Sequence, residues 1–495
     1  MIPLSIFDVN LMSGNLLLLC SILIFVAIMV TKLGSRFGVP SLLLFLLLGM
    51  AAGADGLGLQ FEEYEVAESI GHFAMTVILL TAGLETSLAE TRPVIKHGTV
   101  LSTFGVLLTV LLTGLFIFFA LGNMIGLPVL GCLLLAAVMG STDSASVFSI
   151  LRDKKMKLRE NLAPMLELES GSNDPMAYTL TIILVKMLSS DGLLYYSGLQ
   201  LALNALFILL IQIIVGVVVG FAVGYAAKWV LDRVRLPGFA LTAILILSVG
   251  FFANGIASLF NGNGLLSLYI AAIIIGNKAQ LSHRKEIITF MDGLTWLMQL
   301  VMFLVLGLLA RPSQMLPVLL PAILIGLFMM FVARPLSVFT CLLPFRDLSA
   351  RAKLLTSWVG LKGAGPILFA LYPVVVGYES SSDIFNIVFI ITLFSLSLQG
   401  TTLGSFAKLL KLCYPETPKV ETFGIEVPEV MGMLRDHTVT EDDLAGGETL
   451  RDLHLPHGIR VMMVRRDDKF LVPHGSMPLM VGDKLVIIMG DSDDD

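Results

Sequence analysis

Between Leu166 and Leu180 the chain reads LELESGSNDPMAYTL. Residues four apart share a helix face, so Glu169 stands beside Asn173 and Ser170 beside Asp174. Pro175 removes a backbone donor and loosens the turn before it. Ser170 and Asp174 offer a hydroxyl and a carboxylate to one point, and hard cations take oxygen ligands. That is a fair start for an alkali-cation site. The competing reading is a polar helix face hydrogen-bonded to its neighbours.

Two further stretches place charge where charge is costly. LLLAAVMGSTDSASVFSIL is apolar except for the small, polar run Gly140–Ser146, which carries Asp143. The run Gly360-Leu-Lys-Gly-Ala-Gly-Pro366 is also small and carries Lys362. Both read as unwound segments in apolar helices, and irregular backbone at membrane depth needs cover from protein or a watery cavity. Paired interruptions in two halves of a transporter point to its binding site. Asp143 and Lys362 each have the charge to neutralise half-helix dipoles meeting at such breaks. The alternative is two Gly/Pro kinks used only for packing. Arg334, in FVARPLSVF, keeps its proton; it either pairs with a buried acid, for which Glu169 is the choice, or snorkels to an interface. Glu85, in LLTAGLETSL, is either a cavity ligand or an ordinary helix-end acid. Glu167 lies near its helix start and reads as facing the cytoplasm.

These residues need long apolar elements to hold them. Of 495 residues 56% are hydrophobic and 14% charged, against about 45–50% and about 25% in soluble domains. The mean hydropathy is +0.88. A soluble enzyme and a disordered chain are excluded. So is a disulfide scaffold, since there are only 4 Cys. With about 20 apolar residues per crossing, thirteen spans are expected: Leu11–Val30, Pro40–Gly53, Val66–Leu84, Val100–Leu121, Pro128–Ile150, Met165–Val185, Leu199–Val230, Phe239–Phe260, Gly264–Gly276, Leu294–Ala310, Leu316–Phe339, Ala352–Val376 and Asp383–Ala407. The first lacks a positive n-region and holds Asp8 ahead of it, so it reads as a membrane helix, not a signal peptide. Loops after odd-numbered spans carry 18 Lys and Arg, and those after even spans two, Lys186 and Arg311. The positive-inside rule then puts the N-terminus outside and the C-terminal region in the cytoplasm. Spans 5 and 12 become equivalents if two inverted six-helix repeats flank one extra helix.

After Tyr414 the pattern stops. Residues 415–495 hold 8 Lys and Arg and 17 Asp and Glu of totals of 32 and 38, so the acidity belongs to this tail. The expected division is a transmembrane domain over 1–411, a linker over 412–422 and a small α/β domain over 423–495. Ile459–Val464, Phe470–Val472 and Lys484–Met489 read as strands, and Thr449–Leu453 as a helix start. His454, His457, Arg460, Arg465 and Arg466 form a weak candidate anion site, or else a solvated face. The closing Asp-Ser-Asp-Asp-Asp reads as a disordered end, and its abruptness leaves open that the natural chain continues. Scattered His and Cys support no metal centre, and a net of −9 disfavours nucleic acid. A channel would want a symmetric filter. An intramembrane enzyme would need a nucleophile–base pair, which the spans lack.

The sequence resembles the monovalent cation/proton antiporters. ESGSNDP matches their Glu-Ser-x-x-Asn-Asp signature, GSTDSAS their Thr-Asp break, GLKGAGPI their Gly-Leu-Arg-Gly-Ala-x-Pro stretch and GLETS their Gly-Leu-Glu. The Asn-Asp pair points to the NhaP-like branch. The run GETLRDLHLPHGIRVMMVRRDDKFLVPHGSMPLMVGDKLVII is similar to the regulatory C-domain (RCK_C/TrkA-C type) of potassium-uptake proteins. Together they look like bacterial potassium/proton antiporters of the cell-volume-regulation type. The resemblance implies that Asp174 carries cation and proton and that Ser170 and the Thr142 carbonyl are ligands beside Asp143. It makes Glu85 a ligand directly or through water. Glu169 would pair with Arg334, and Asn173 would steady that pair. It further implies potassium or sodium at Asp174, no cofactor apart from a possible regulatory nucleotide on the tail, a homodimer, and the cell inner membrane. This sequence departs from the pattern in having Ser144 where many relatives have proline, and Lys362 where arginine is common.

Overall fold

The computed structural model describes residues 14–34, 40–189, 198–234, 236–415, 434–441, 443–444, 447, 449–453, 459–466 and 469–489. The chain divides into two units, Met1–Pro415 and Glu416–Asp495.

Helices dominate the first unit because long Leu, Val, Ile and Phe runs must satisfy their backbone internally in lipid. They are α1 (Gly14–Gly34), α2 (Ser41–Ala52), α3 (Tyr64–Glu85), α4 (Ile95–Ile125), α5 (Val129–Val138), α6 (Ser144–Asp153), α7 (Leu162–Ser189), α8 (Gly198–Arg233), α9 (Phe239–Leu259), α10 (Gly264–Lys278), α11 (Arg284–Leu308), α12 (Pro312–Cys341), α13 (Ala350–Trp358), α14 (Ala364–Val375) and α15 (Ser381–Leu409), with one helical turn at Leu88–Thr91. Among the described residues seven helices are long and apolar enough to cross a membrane: α3, α4, most of α8, α9, α11, α12 and α15. The chain is a polytopic, mostly helical membrane protein. Two starts differ from expectation. α4 begins at Ile95, and α11 at Arg284 instead of Leu294. The polar residues of ITFMDGLTW hid the first turns of α11.

Without a hydrophobic driving force between helices in lipid, small residues let backbones meet. Gly216, Gly220 and Gly224 show this on α8. A Cβ at these positions would lie 2.8 Å from the Asn263 carbonyl, 2.7 Å from the Ser267 carbonyl and 2.9 Å from Ile274 Cδ1, so α8 lies directly against α10. Another face of α8 is apolar and outward: Phe207, Val218 and Trp229 are exposed, as suits a lipid-facing helix. Three helices, α4, α12 and α15, contain π-helical turns, at Leu101–Gly105, Met329–Ala333 and Leu396–Gly400. Such turns mark functional sites in many helices. A short ribbon pairs β1 (Met156–Leu158) antiparallel with β2 (Cys413–Pro415). Arg159 N extends it by donating to Leu412 O at 2.9 Å. Residues 412–415, assigned to the linker by composition, are thus held to the segment between α6 and α7.

The second unit is an antiparallel sheet of β3 (Leu434–Thr438), β4 (Ile459–Arg466), β5 (Lys469–Leu471) and β6 (Lys484–Met489), in the order β3-β6-β4-β5. Val439, Val464, Leu479, Leu485 and Ile487 form its core. The expected helix start at Thr449–Leu453 is a correction: no helix is present among the described residues of this unit. Leu450 N and Arg451 N donate instead to Met477 O and Gly475 O, both at 2.9 Å, while Asp452 accepts from Thr449 N and Oγ1. The last residues, 490–495, lie outside the described ones.

Asp483 anchors this unit. Its carboxylate is 2% exposed and accepts from Arg466 Nε at 2.9 Å and Nη2 at 2.7 Å, and from Met480 N at 2.9 Å. The Arg466 hydrogen bonds, aided by that amide, hold its carboxyl below the ordinary carboxylate range. A depressed carboxyl contributes stability that is present above its unfolded value, about 3.9, and lost as pH falls through the folded one. The protection of β6 amides in the full-length protein, relative to their intrinsic exchange at each pH, should therefore hold from pH 7 to about 5 and fall below about 4. Asp483→Asn should destabilise the sheet at pH 7 by about 2 kcal/mol and weaken that acid dependence. An unchanged acid limb in the variant would assign it to other groups.

Candidate functional site

Two helix interruptions meet inside the first unit. The chain leaves α5, turns at Met139–Gly140, runs extended through Ser141–Asp143 and re-enters a helix at Ser144. It likewise leaves α13, runs through Gly360–Gly363 and re-enters at Ala364. Asp143 N donates to Leu361 O at 2.9 Å and stitches the two together. A Cβ on Gly363 would lie 2.2 Å from Asp143 Oδ2, so glycine lets the segments cross this closely.

Broken helices leave backbone groups unpaired, and the surrounding side chains answer them. Asp143 caps α6, accepting from Ser146 N at 2.9 Å and from Ser146 Oγ. Its negative charge sits at the positive helix end. Lys362 Nζ donates to Ser141 O at 2.8 Å, beyond the negative end of α5. Lys362 N donates to Ser395 Oγ at 2.9 Å; Ser395 Oγ donates to Gln399 Oε1, and Gln399 Nε2 donates to Trp358 O at the end of α13. The two charges thus serve helix ends across the crossing.

α7 packs beside this crossing with its polar run. Ser141 Oγ donates to Asp174 Oδ1. Ser170 Oγ donates to Thr142 O at 2.7 Å and accepts from Ser144 N at 3.1 Å. The expectation that Ser170 shares a point with Asp174 is corrected to this extent: both line one cavity, but Ser170 turns to unpaired backbone and Ser141 meets the carboxylate. Asn173 is a second correction. Its amide accepts from Thr142 N at 3.3 Å and donates to Thr142 Oγ1 at 2.5 Å, so it holds the interruption and not the buried ion pair. That pair is Glu169 with Arg334, 1% and 7% exposed. Arg334 follows the π-helical turn of α12, and Gly360 passes close to its guanidinium.

A cavity of about 300 Å³ reaches Asp174 between α3, α6, α7 and α11. Five carboxylates line it: Glu85, Asp143, Glu167, Asp174 and Asp292. Arg152, Thr142, Ser170 and Gln299 also line it. Glu85 closes α3 on the same cavity wall as Asp292. A cleft of one charge sign raises the local concentration of the opposite ion. Sequence reasoning missed Ser141 and Asp292. Asp292 was itself the available signal, an acid among the polar residues of ITFMDGLTW that border apolar sequence. For Ser141 there was none beyond its place beside Thr142.

Of the tail's anion candidates only part falls among the described residues. His454 and His457 lie outside them, Arg466 is bound by Asp483, and Arg460 and Arg465 stand in β4 opposite Ile488 and Lys484.

Residues 21–409 match the family profile described as sodium/hydrogen exchanger, transmembrane, and residues 434–493 that of the TrkA-C domain. A K(+)/H(+) antiporter NhaP2 of Shewanella oneidensis is 36% identical over 478 residues, covering 96% of this chain and 81% of that protein. A K(+)/H(+) antiporter NhaP of Alkalimonas amylolytica is 36% identical over 480 residues, covering 95% and 80%. The solved structure of the sodium proton antiporter MjNhaP1 from Methanocaldococcus jannaschii at pH 8 superposes with a TM-score of 0.66 at 23% identity, over 79% of this chain and 97% of that one.

Proposed function

The chain belongs to the sodium/hydrogen exchanger family, and from that premise we propose that it exchanges potassium for protons at Asp174. The observation that carries this reading is a single carboxylate at the end of an acid-lined cavity, beside two crossing helix breaks whose dipoles are already compensated. Asp174 can hold a proton or face a cation, and either displaces the other. If only loaded forms cross, exchange follows. Asn173, permanently neutral beside it, fits one cation per proton and electroneutral transport. Ser170, the Thr142 carbonyl and Glu85 are the further cation ligands of this reading, with Asp143 and Lys362 compensating the breaks.

In the same proposal α5 with α6, and α13 with α14, each count as one crossing. This gives thirteen crossings in two inverted six-helix repeats joined by one helix. The bundle with the breaks rocks to give alternating access. The N-terminus lies outside and the tail in the cytoplasm, as the 18-to-2 loop charge split supports. The cavity then opens to the cytoplasm at Glu85, Arg152 and Asp292. The protein works as a homodimer in the inner membrane, serving cation, pH and volume homeostasis. Its tail regulates transport, with a nucleotide as candidate ligand; the β1–β2 ribbon, which precedes the tail, supports such coupling. The relatives' names favour potassium, while the family description favours sodium as the second reading. Everted vesicles energised to an acidic lumen decide. Potassium chloride should dequench a trapped pH dye, and sodium or lithium chloride less so. Silence with all three would reject antiport, and a sodium-selective response would reject potassium.

A further inference from the structure

Ser141 occupies a singular place in the first interruption. It is 2% exposed, and its two polar atoms face opposite charges: Oγ donates to Asp174 Oδ1, and its carbonyl accepts from Lys362 Nζ at 2.8 Å. Room for the hydroxyl is built into the second interruption. Gly365 stands where any Cβ would come within 2.9 Å of Ser141 Oγ. The neighbouring hydroxyls have other work: Ser170 Oγ is held between Thr142 O and Ser144 N, Thr142 Oγ1 accepts from Asn173, and Ser146 Oγ donates to Asp143. Among the described hydrogen bonds, Ser141 is therefore the hydroxyl committed to Asp174.

We propose that Ser141 Oγ is an oxygen of the cation site. It holds the Asp174 carboxylate in place while the site is empty and turns a lone pair to the cation when one arrives. A hydroxyl suits both tasks, because it carries one donor hydrogen and two acceptor lone pairs and rotates freely between them. The Lys362 contact fixes the backbone of Ser141, so the rotation costs no movement of the chain. This adds a ligand to the antiport reading above and rests on it. It also draws the site's oxygens from the first interruption and α7, so that any rocking of the crossing carries carboxylate and hydroxyl together.

The test is the potassium dependence of exchange by Ser141→Ala in everted vesicles, beside the unaltered protein. Loss of a ligand that also orients the carboxylate should raise the half-saturating potassium concentration about tenfold, with the maximal rate within about twofold. Ser141→Thr keeps the hydroxyl and should restore the half-saturation. A lower maximal rate at unchanged half-saturation would mark Ser141 as structural and overturn the proposal, as would an alanine variant indistinguishable from the parent. Absence of cation-dependent exchange in the parent itself would instead overturn the antiport reading on which the proposal rests.

Discussion

Asp174→Asn will reduce cation-driven proton movement to the background of empty vesicles, while the protein still inserts and purifies as a folded species. The substitution is nearly isosteric, and the amide oxygen still accepts the Ser141 hydroxyl, so the local hydrogen bond survives. What goes is the charge. A neutral amide neither takes up a proton in the working range nor balances a cation brought into a protein interior. Leaving a buried charge without its partner costs about 3–5 kcal/mol, or roughly two to three and a half decades in affinity at about 1.4 kcal/mol per decade. On the proposed mechanism both substrates are lost together, because both would use one group. Residual exchange above background would mean that another carboxylate of the cavity carries the ion. Glu85 and Asp292 are then the first to examine, since they line the same space.

The residues that matter most were legible because ionisable groups in apolar runs are expensive. Asp174, Glu169, Arg334, Asp143 and Lys362 stand out on that ground alone, and the runs of small residues around Asp143 and Lys362 announce the helix breaks. Helical periodicity fails at finer grain. It puts Ser170 and Asp174 on one face, as they are, but a face does not say where a hydroxyl turns. Ser170 turns to the unpaired amide and carbonyl of an interruption that lies 26 and 28 residues away in sequence. Asp292 was hidden for a related reason. A polar face of α11 that lines a cavity looks, in a hydropathy reading, like a loop. In the tail, β3 has no strong pattern of its own and becomes a strand by pairing with β6, some fifty residues later. Thr449–Leu453 looked helical because its partners, Gly475 and Met477, lie about 25 residues further along the sequence.

The second large effect concerns Glu169 and Arg334, and its signature is asymmetry. Glu169→Gln strips the counter-charge from a guanidinium that keeps its proton under all ordinary conditions. Arg334, 7% exposed, is left as a buried cation without its counter-charge. Arg334→Gln leaves a carboxylate, which can escape its predicament by binding a proton. The first variant should therefore lose about 3–5 kcal/mol, and the second distinctly less. In detergent, the thermal midpoint should fall furthest for Glu169→Gln. The double variant Glu169→Gln/Arg334→Gln keeps two hydrogen-bonding groups without charge, and should recover most of that loss. Equal losses in the two single variants, with no recovery in the double, would show that shape and not charge holds this contact. The pair joins α7, which carries Asp174, to α12. A double variant that folds but exchanges slowly would thus separate the pair's part in stability from its part in keeping the two helices moving as one body.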